Sequence, residues 1–317
     1  MESKKIDQYR PTTTVRVLEF VSLLVATLLV VVMLIFSILS NFPHIGVGFK
    51  NGTKEVSDIF YTQLTPAGWT FTIWGLVYTW QVIWIIYGWS FVFRPATPRA
   101  ISFVTYILYS IGQLCNIAWT YLWGNLYTAA SFGVAVAFSL ILCASLVAQA
   151  IHLYRETPAL SSTKKFKIDF YIARIVVLNS IAIYVLWVAI ASELNFVILL
   201  VYYYGVDDTT AVTIDLACLL IIIISYFILE NTFFDRFARF IFIVYPVFIW
   251  AFSGIVSAHW GVEEDNRNPI FTLVLLVLCI VLFIVRIILW IVYAFVRPLA
   301  VPKTSLGDLF CSICLKK

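Results

Sequence analysis

The 317-residue chain is 62% hydrophobic and only 12% charged, and it has a formal net charge of +4. Soluble domains contain roughly 45–50% apolar and about 25% charged residues, and a soluble fold of this length could not bury so much apolar surface. The composition therefore excludes an ordinary soluble domain and indicates a protein whose main solvent is the lipid bilayer.

Long apolar runs divide the chain into segments of about 20 residues, the length that an α-helix needs to cross a bilayer. We predict an all-α polytopic membrane protein with about eight transmembrane helices. The fifth run is too long for one upright crossing, so it must tilt, protrude or end near Asn195. Pro246 should kink the seventh. The predicted spans are Val17–Leu39, Gly68–Phe93, Ile101–Trp123, Ala129–Leu153, Phe170–Tyr204, Ala211–Leu229, Phe237–Trp260 and Ile270–Val296.

The distribution of basic residues predicts the orientation. With the N-terminus in the cytoplasm, 16 of the 21 Lys and Arg residues lie in inner segments and 3 in outer ones, as the positive-inside rule requires. We therefore expect cytoplasmic tails at residues 1–16 and 298–317. Asn51-Gly52-Thr53 is a glycosylation sequon in the first outer loop, so Asn51 is a predicted glycosylation site.

Four ionisable residues lie inside the predicted spans, where they should face the bundle interior or water. Arg174 and Arg286 lie toward the cytoplasmic side, and we expect them to reach the lipid head groups. Glu193 and Asp215 lie toward the outer side. The four together could instead serve a solute path, although the opposite charges are not matched in depth.

Three spans carry polar and aromatic stripes at helical spacing. Polar side chains in a bilayer turn toward other helices, so the three faces could converge on a cavity suited to a flat apolar ligand. The alternative is that the stripes only hold the helices together. We find none of the GxSxG, HExxH, GxGxxG or P-loop motifs, so we predict no catalytic or metal site. The stripes are Phe71, Trp74, Tyr78 and Gln81; Tyr106, Tyr109, Gln113, Asn116 and Thr120; and Ser180, Tyr184, Trp187, Ala191 and Asn195.

At these stripes the sequence resembles the TspO/translocator protein family, also called tryptophan-rich sensory proteins. Thr65-Pro66-Ala67-Gly68-Trp69-Thr70-Phe71-Thr72-Ile73-Trp74 is similar to the family's Pro-Pro-x-Trp-x-Phe-x-x-x-Trp stretch, with Ala67 in place of the second proline. Asn116 and Trp119 match its Asn-x-x-Trp. The most specific match is Tyr184-Val185-Leu186-Trp187-Val188 with Ala191, Leu194 and Asn195, which resembles Tyr-x-x-Trp-Val-x-x-Ala-x-x-Leu-Asn.

The resemblance covers roughly Val17 to Asn195 and implies a five-helix bundle at residues 17–204. Three additional helices at 205–297 should then pack on its outside and leave its cavity intact. The implied function is non-enzymatic: binding or sensing a flat hydrophobic ligand, such as a porphyrin or sterol, in a tryptophan-lined cavity. The expected site residues, in the outer half of the bundle, are Trp69, Trp74, Tyr78, Asn116, Trp119, Tyr184, Trp187 and Asn195.

The expected partners are the bilayer and a hydrophobic small molecule rather than nucleic acid, and a homo-oligomer is left open. The sequon favours an endomembrane or the plasma membrane over the mitochondrial outer membrane, where animal members of the family are expected. The alternative function is a small-solute transporter or channel that uses Arg174, Glu193, Asp215 and Arg286.

Overall fold

The chain folds as an all-helical protein, as predicted. The computed structural model describes residues 12–43, 48–262 and 267–297. It is 82% helical, and these residues form no strand. The C-terminal tail at 298–317 lies outside the described residues. The helices are α1 Thr13–Ser40, α2 Thr53–Ile59, α3 Ile73–Ser90, α4 Phe103–Gly124, α5 Thr128–Leu160, α6 Lys164–Tyr202, α7 Asp208–Asn231, α8 Asp235–Ala238, α9 Val244–His259 and α10 Arg267–Val296.

Six of the described helices are long and apolar enough to cross a membrane: α1, α3 with the turn before it, α5, α6, α7 and α10. Two other helices correspond to predicted spans. Helix α4 has 22 residues but carries a polar stripe that lowers its hydropathy. Helix α9 is apolar but has only 16 residues, or about 24 Å at 1.5 Å per residue. A polytopic membrane protein is therefore established, and the number eight stays a prediction.

Helix α6 lies at the centre of the bundle. In its most apolar window 61% of the residues are buried, against 22–33% in the other candidate spans. It packs against α3, α5, α7 and α9. Of the three outcomes expected for this run, an end near Asn195 is excluded, because the helix continues to Tyr202. The helix includes a π-helical turn at Ala173–Val177. Its 39 residues correspond to about 58 Å at 1.5 Å per residue, which exceeds the ~30 Å hydrocarbon core of a bilayer.

The remaining helices pack on either side of α6. Helix α4 lies between α1 and α5, and α5 also packs along α6. On the other side, α7 and α9 both contact α6, and α10 packs on α7 and α9. The core is therefore continuous from the first helices to the last.

The predicted kink at Pro246 is wrong. The residues predicted to open this span instead form the short helix α8 and a break, and α9 begins at Val244. Pro246 thus lies in the first turn of α9. There the missing N–H removes no intrahelical hydrogen bond, so proline starts this helix rather than bending it.

The loops at one end of the bundle fold against the helix ends. We call this the loop end; it comprises residues 48–72, 124–127, 203–207 and 260–262. The backbone N–H groups of Lys50 and Asn51 donate to the carbonyl of Gly124 at 3.3 and 3.0 Å. Glu55 in α2 accepts a hydrogen bond from the N–H of Gly52 at 2.8 Å. These contacts place α2 over the end of α4 and thereby cover the site described below.

Candidate functional site

A cluster of aromatic rings surrounds Trp74 near the loop end. Its ring centroid lies 5.3 Å from that of Tyr78, 5.9 Å from Trp119, 6.2 Å from Trp187 and 6.4 Å from Tyr184. These rings come from α3, α4 and α6. The three stripes found in the sequence therefore converge, as predicted.

A short 3-10 turn, Gly68–Thr72, sets the position of Trp74 by leading into α3. The backbone N–H of Ala67 donates to the carbonyl of Gly254 in α9 at 3.0 Å. The indole of Trp250 donates to the carbonyl of Thr70 at 2.9 Å. Two hydrogen bonds thus fix the start of α3 to α9.

A cavity lies beside Trp74, and its free volume in this structure is about 50 Å³. Such a volume holds one or a few water molecules, so the aromatic rings are closed on one another. Its lining is almost wholly apolar, with Glu193 the one ionisable side chain among the described lining residues. The cavity is lined by Thr53, Leu64, Pro66, Thr70, Phe71, Trp74, Trp119, Trp123, Trp187, Ile190, Ala191, Glu193, Leu194, Asn195, Leu219, Phe248, Ala251, Phe252 and Ile255.

Three hydrogen-bond donors in this lining are buried without a partner among the described residues. They are the indole N–H groups of Trp119 and Trp187 and the hydroxyl of Thr70. Trp119 is 5% exposed, Trp187 4% and Thr70 0%. A buried donor left unpaired costs about 1–3 kcal/mol, and such groups in native proteins call for an explanation. Acceptor atoms of a bound molecule would satisfy them.

On the side of the cavity away from the loop end, polar residues of the stripes form a hydrogen-bonded layer, which we call the floor. The amide of Asn116 donates to the hydroxyl of Tyr184 at 2.7 Å, and that hydroxyl donates to Gln113 at 3.4 Å. Further from the loop end, Gln81 donates to the carbonyl of Ser180 at 2.7 Å. The two interpretations of the stripes thus apply at different depths: near the loop end they line a cavity, and deeper they hold the helices together.

The predicted site residues separate into three groups. Four of them line the cavity: Trp74, Trp119, Trp187 and Asn195. Asn116, Tyr184 and Tyr78 lie in the layer behind it; Asn116 and Tyr184 are fully buried and already hydrogen-bonded to each other. The expectation that Asn116 and Tyr184 border the cavity is therefore wrong.

Trp69 was also expected to border the cavity, and this is wrong too. Its side chain is 42% exposed and packs edge-on against Trp250, with centroids 4.9 Å apart. Trp69 lies in the 3-10 turn before α3, whereas Trp74 lies in α3 itself. Trp69 and Trp74 therefore cannot share one helical face, and only Trp74 turns inward.

The expectation that the last three helices leave the cavity to the first five is wrong. Leu219 of α7 lines the cavity together with Trp187, and α9 contributes an entire face. That face has the i, i+3, i+4, i+7 spacing of a helical stripe, so the sequence contained a signal that a search restricted to polar residues missed. It consists of Phe248, Ala251, Phe252 and Ile255.

The two arginines expected at the head groups are instead buried. Arg174 is 2% exposed and lies 4.6 Å from the ring centroid of Phe170. Arg286 is fully buried and forms an ion pair with Glu230. Glu230 was not among the predicted intramembrane residues because α7 continues past the predicted end at Leu229 to Asn231. A buried guanidinium is retained where such partners neutralise or cover it.

A second, more polar cleft adjoins the cavity across the Trp74 ring. This side cleft has a free volume of about 90 Å³, and it shares Thr53, Phe71, Trp74 and Trp119 with the cavity. Its other walls come from α1, α2 and the ends of α3 and α4. They are formed by Ser37, Ser40, Asn41, Lys54, Tyr78 and Thr120.

Comparison with known proteins identifies one family. A family model described as TSPO-like protein matches residues 23–290. The match continues past Asn195 and includes α7, α9 and most of α10, so these helices lie inside the matched region rather than beyond it. No curated protein and no solved structure matches the chain.

Proposed function

This chain belongs to the TSPO-like protein family, and we propose that it binds or senses a flat hydrophobic ligand without catalysing a reaction on it. The observation that carries the proposal is the cavity beside Trp74, in which aromatic rings from three helices meet two unpaired indole N–H groups. Porphyrins and sterols are the ligand classes we propose, since both present a broad apolar body with a few polar atoms.

The ligand would stack on the indole rings and accept hydrogen bonds from Trp119 and Trp187. Aromatic stacking contributes about 0.5–1.5 kcal/mol per pair beyond the area buried. Pairing an orphaned buried donor removes a penalty of about 1–3 kcal/mol. Both contributions arise only when the cavity is occupied. The resulting free-energy difference between the empty and the ligand-bound protein is what would allow the protein to sense the ligand.

Binding requires the aromatic rings to separate. Sites for drug-sized ligands measure about 300–1,000 Å³, several times the 50 Å³ of the closed cavity. Trp74 lines both the cavity and the side cleft, as Phe71 and Trp119 also do, so its movement would join the two spaces. We therefore infer that ligand entry displaces Trp74.

A small-solute transporter is the second candidate. The observations that favour it are Glu193 in the cavity wall and the contribution of α7 and α9 to the lining. Against it, the remaining described lining is uncharged and almost wholly apolar. Arg286 is already paired with Glu230, and Arg174 lies among aromatic rings. An enclosed apolar cavity supports binding better than it supports a wet solute path.

The proposed setting is an endomembrane or the plasma membrane, with both termini in the cytoplasm and the loop end outside or in the lumen. The bias of Lys and Arg toward inner segments supports this orientation. With it, the cavity lies in the outer half of the bilayer.

Ligand titration of variants in which one tryptophan is replaced by alanine tests the proposal. Protoporphyrin IX and cholesterol are added to the purified protein in nanodiscs, and binding is followed by tryptophan quenching and equilibrium dialysis. Trp74→Ala and Trp187→Ala should each weaken binding by roughly two- to tenfold or more. Trp260→Ala is the matched control, because this indole is at the loop end and 54% exposed.

Two outcomes would contradict the proposal. Saturable binding that neither cavity variant weakens would place the site elsewhere in the protein. The absence of saturable binding to any porphyrin, sterol or aromatic ligand would end the binding-protein interpretation.

A further inference from the structure

One wall of the cavity carries a carboxyl group, and a second carboxyl group lies next to it on the neighbouring helix. Glu193 of α6 lines the cavity directly. Asp215 of α7 is fully buried and is the acidic neighbour of Glu193. Leu219 lies one turn beyond Asp215 and also lines the cavity, so Asp215 lies on the face of α7 that turns toward it. We call Glu193 and Asp215 the carboxyl pair.

The carboxyl pair has no cationic partner among the described residues. No ion pair includes either side chain, and neither carboxyl oxygen of Asp215 receives a hydrogen bond that meets ordinary geometry. Several other carboxylates in the helices do have a cationic partner, because each of them lies against a guanidinium. Those pairs are Glu19 with Arg99, Asp169 with Arg94, Asp235 with Arg239, and Glu230 with Arg286.

An isolated carboxylate inside a bilayer is costly, and two that lie next to each other are costlier still. Sharing one proton would leave the pair with a single negative charge, and a bound cation would neutralise that charge. The surroundings indicate which kind of cation would fit. The rest of the lining is mainly aromatic and aliphatic, with uncharged side-chain oxygen atoms only on Thr53, Thr70 and Asn195 among the described lining residues. No group of three described His, Cys, Asp or Glu residues could hold a metal ion. Aromatic faces attract organic cations.

A separate observation indicates that this cavity takes a ligand. Trp119 and Trp187 are more than nine-tenths buried, and their unpaired N–H groups belong to side chains that line the same cavity. These donors need acceptor atoms, whereas the carboxyl pair needs a positive charge. The two requirements are met together by one molecule that has an apolar ring system, an acceptor atom and a basic nitrogen.

We propose that the ligand of this cavity carries a protonated amine, which the carboxyl pair of Glu193 and Asp215 neutralises. This inference rests on the proposed function and changes the preferred ligand class, because a flat apolar molecule with a basic nitrogen is then favoured over neutral sterols and acidic porphyrins. The amine lies at the wall formed by α6 and α7, while the ring system occupies the space between Trp187 and the aromatic face of α9. Recognition of charge thus comes from α6 and, in part, from α7, a helix outside the residues that first carried the family resemblance.

A matched pair of small probes tests the inference. 1-Naphthylmethylamine is protonated at neutral pH, and 1-naphthylmethanol is a neutral molecule of nearly the same shape. Their binding is measured by equilibrium dialysis against the full-length protein in phosphatidylcholine nanodiscs, with competition between the two probes. Glu193→Gln and Asp215→Asn keep the side-chain shape and remove the charge. Asp58→Asn, at an exposed carboxylate near the loop end, is the control.

The amine should bind the wild-type protein about tenfold or more tighter than the alcohol. This preference should fall in Glu193→Gln and should disappear, at about onefold, when Glu193→Gln and Asp215→Asn are combined, with the affinity for the alcohol unchanged; Asp58→Asn should retain the preference. Replacing the potassium chloride of the buffer with sodium chloride, at constant ionic strength, should not displace the amine.

The outcomes separate this inference from the proposed function. If the alcohol binds and Trp187→Ala weakens it, but the amine binds no tighter, the inference is wrong and the proposed function stands. The same conclusion follows if both carboxyl variants keep the preference for the amine, or if sodium ions compete. If neither probe binds at a saturable site, the inference is wrong, and the titrations with protoporphyrin IX and cholesterol decide the proposed function separately.

Discussion

The Nε atom of Arg286 lies 3.3 Å from a carboxylate oxygen of Glu230, and both side chains are fully buried. The pair joins α10 to the last turn of α7. Tyr245 of α9 donates a hydrogen bond to Glu230, and Arg286 donates to Asn231 at 2.8 Å and to the carbonyl of Ala238 at 3.1 Å. Three helices therefore meet at one neutralised charge pair.

Removing one member of this pair should be more damaging than removing both. Glu230→Leu leaves a buried guanidinium uncompensated and should lower the free energy of unfolding by about 3–5 kcal/mol, while Glu230→Leu combined with Arg286→Met should be much less destabilising. The measurement is unfolding in mixed SDS micelles followed by circular dichroism. Equal losses in the single and double variants would contradict the coupling. Asp58→Asn, in an exposed ion pair with Lys54, should change stability by no more than about 1 kcal/mol.

Tyr184→Phe should destabilise the protein without removing a ring from the core. The substitution deletes the hydroxyl that accepts from Asn116 at 2.7 Å and leaves a buried amide unpaired, which costs about 1–3 kcal/mol. The same SDS unfolding assay measures it. Tyr121→Phe is the control: this ring is on α4 but 48% exposed, so its stability should change by about 0.5 kcal/mol or less. Equal stability of the two variants would argue against the floor network.

Gly254→Ala should disturb the contact between α9 and the turn before α3. A Cβ atom there would lie 2.0 Å from Oγ1 and 2.9 Å from Cγ2 of Thr70, and overpacking of this kind costs about 1–3 kcal/mol. Because Thr70 lines the cavity, porphyrin binding should weaken as well. Thr70→Ala in the same chain should restore much of the stability, and failure to do so would contradict the steric explanation.

Gly133→Ala is the matched control for this substitution. Gly133 lies within α5, and a Cβ atom at this position would meet nothing within 4 Å. Alanine should therefore stabilise the helix by about 0.5–1 kcal/mol, through the lower backbone entropy of the unfolded chain.

Asn51 should carry a glycan if the loop end faces the lumen or the exterior. The residue immediately precedes Gly52, which caps α2, and its own surface is partly exposed. Asn51→Gln should abolish a mobility shift produced by endoglycosidase treatment of protein made in eukaryotic cells. Labelling of a single cysteine at position 50 should then occur from the outside of intact cells. Labelling from the cytoplasmic side alone would reverse the proposed orientation.

The amino-acid sequence by itself determined the helices and their polar faces. Composition identified the bilayer as solvent, and the 3.6-residue period placed Trp74, Asn116 and Trp187 on inward stripes, because periodicity depends only on the geometry of a single helix. The hydrogen bond between Asn116 and Tyr184 and the ring contacts of Trp74 agree with that expectation.

Only the tertiary structure decided what each face meets. Periodicity does not specify how far one helix is rotated or shifted against another, so it could not separate the cavity from the floor beneath it or exclude Trp69. Nor could it place α7 and α9 in the cavity wall, or bring Glu230 to Arg286 across 55 intervening positions. Such contacts depend on the packing of side chains from several helices at once, and that packing brings Glu193 and Asp215 together beside the indole rings.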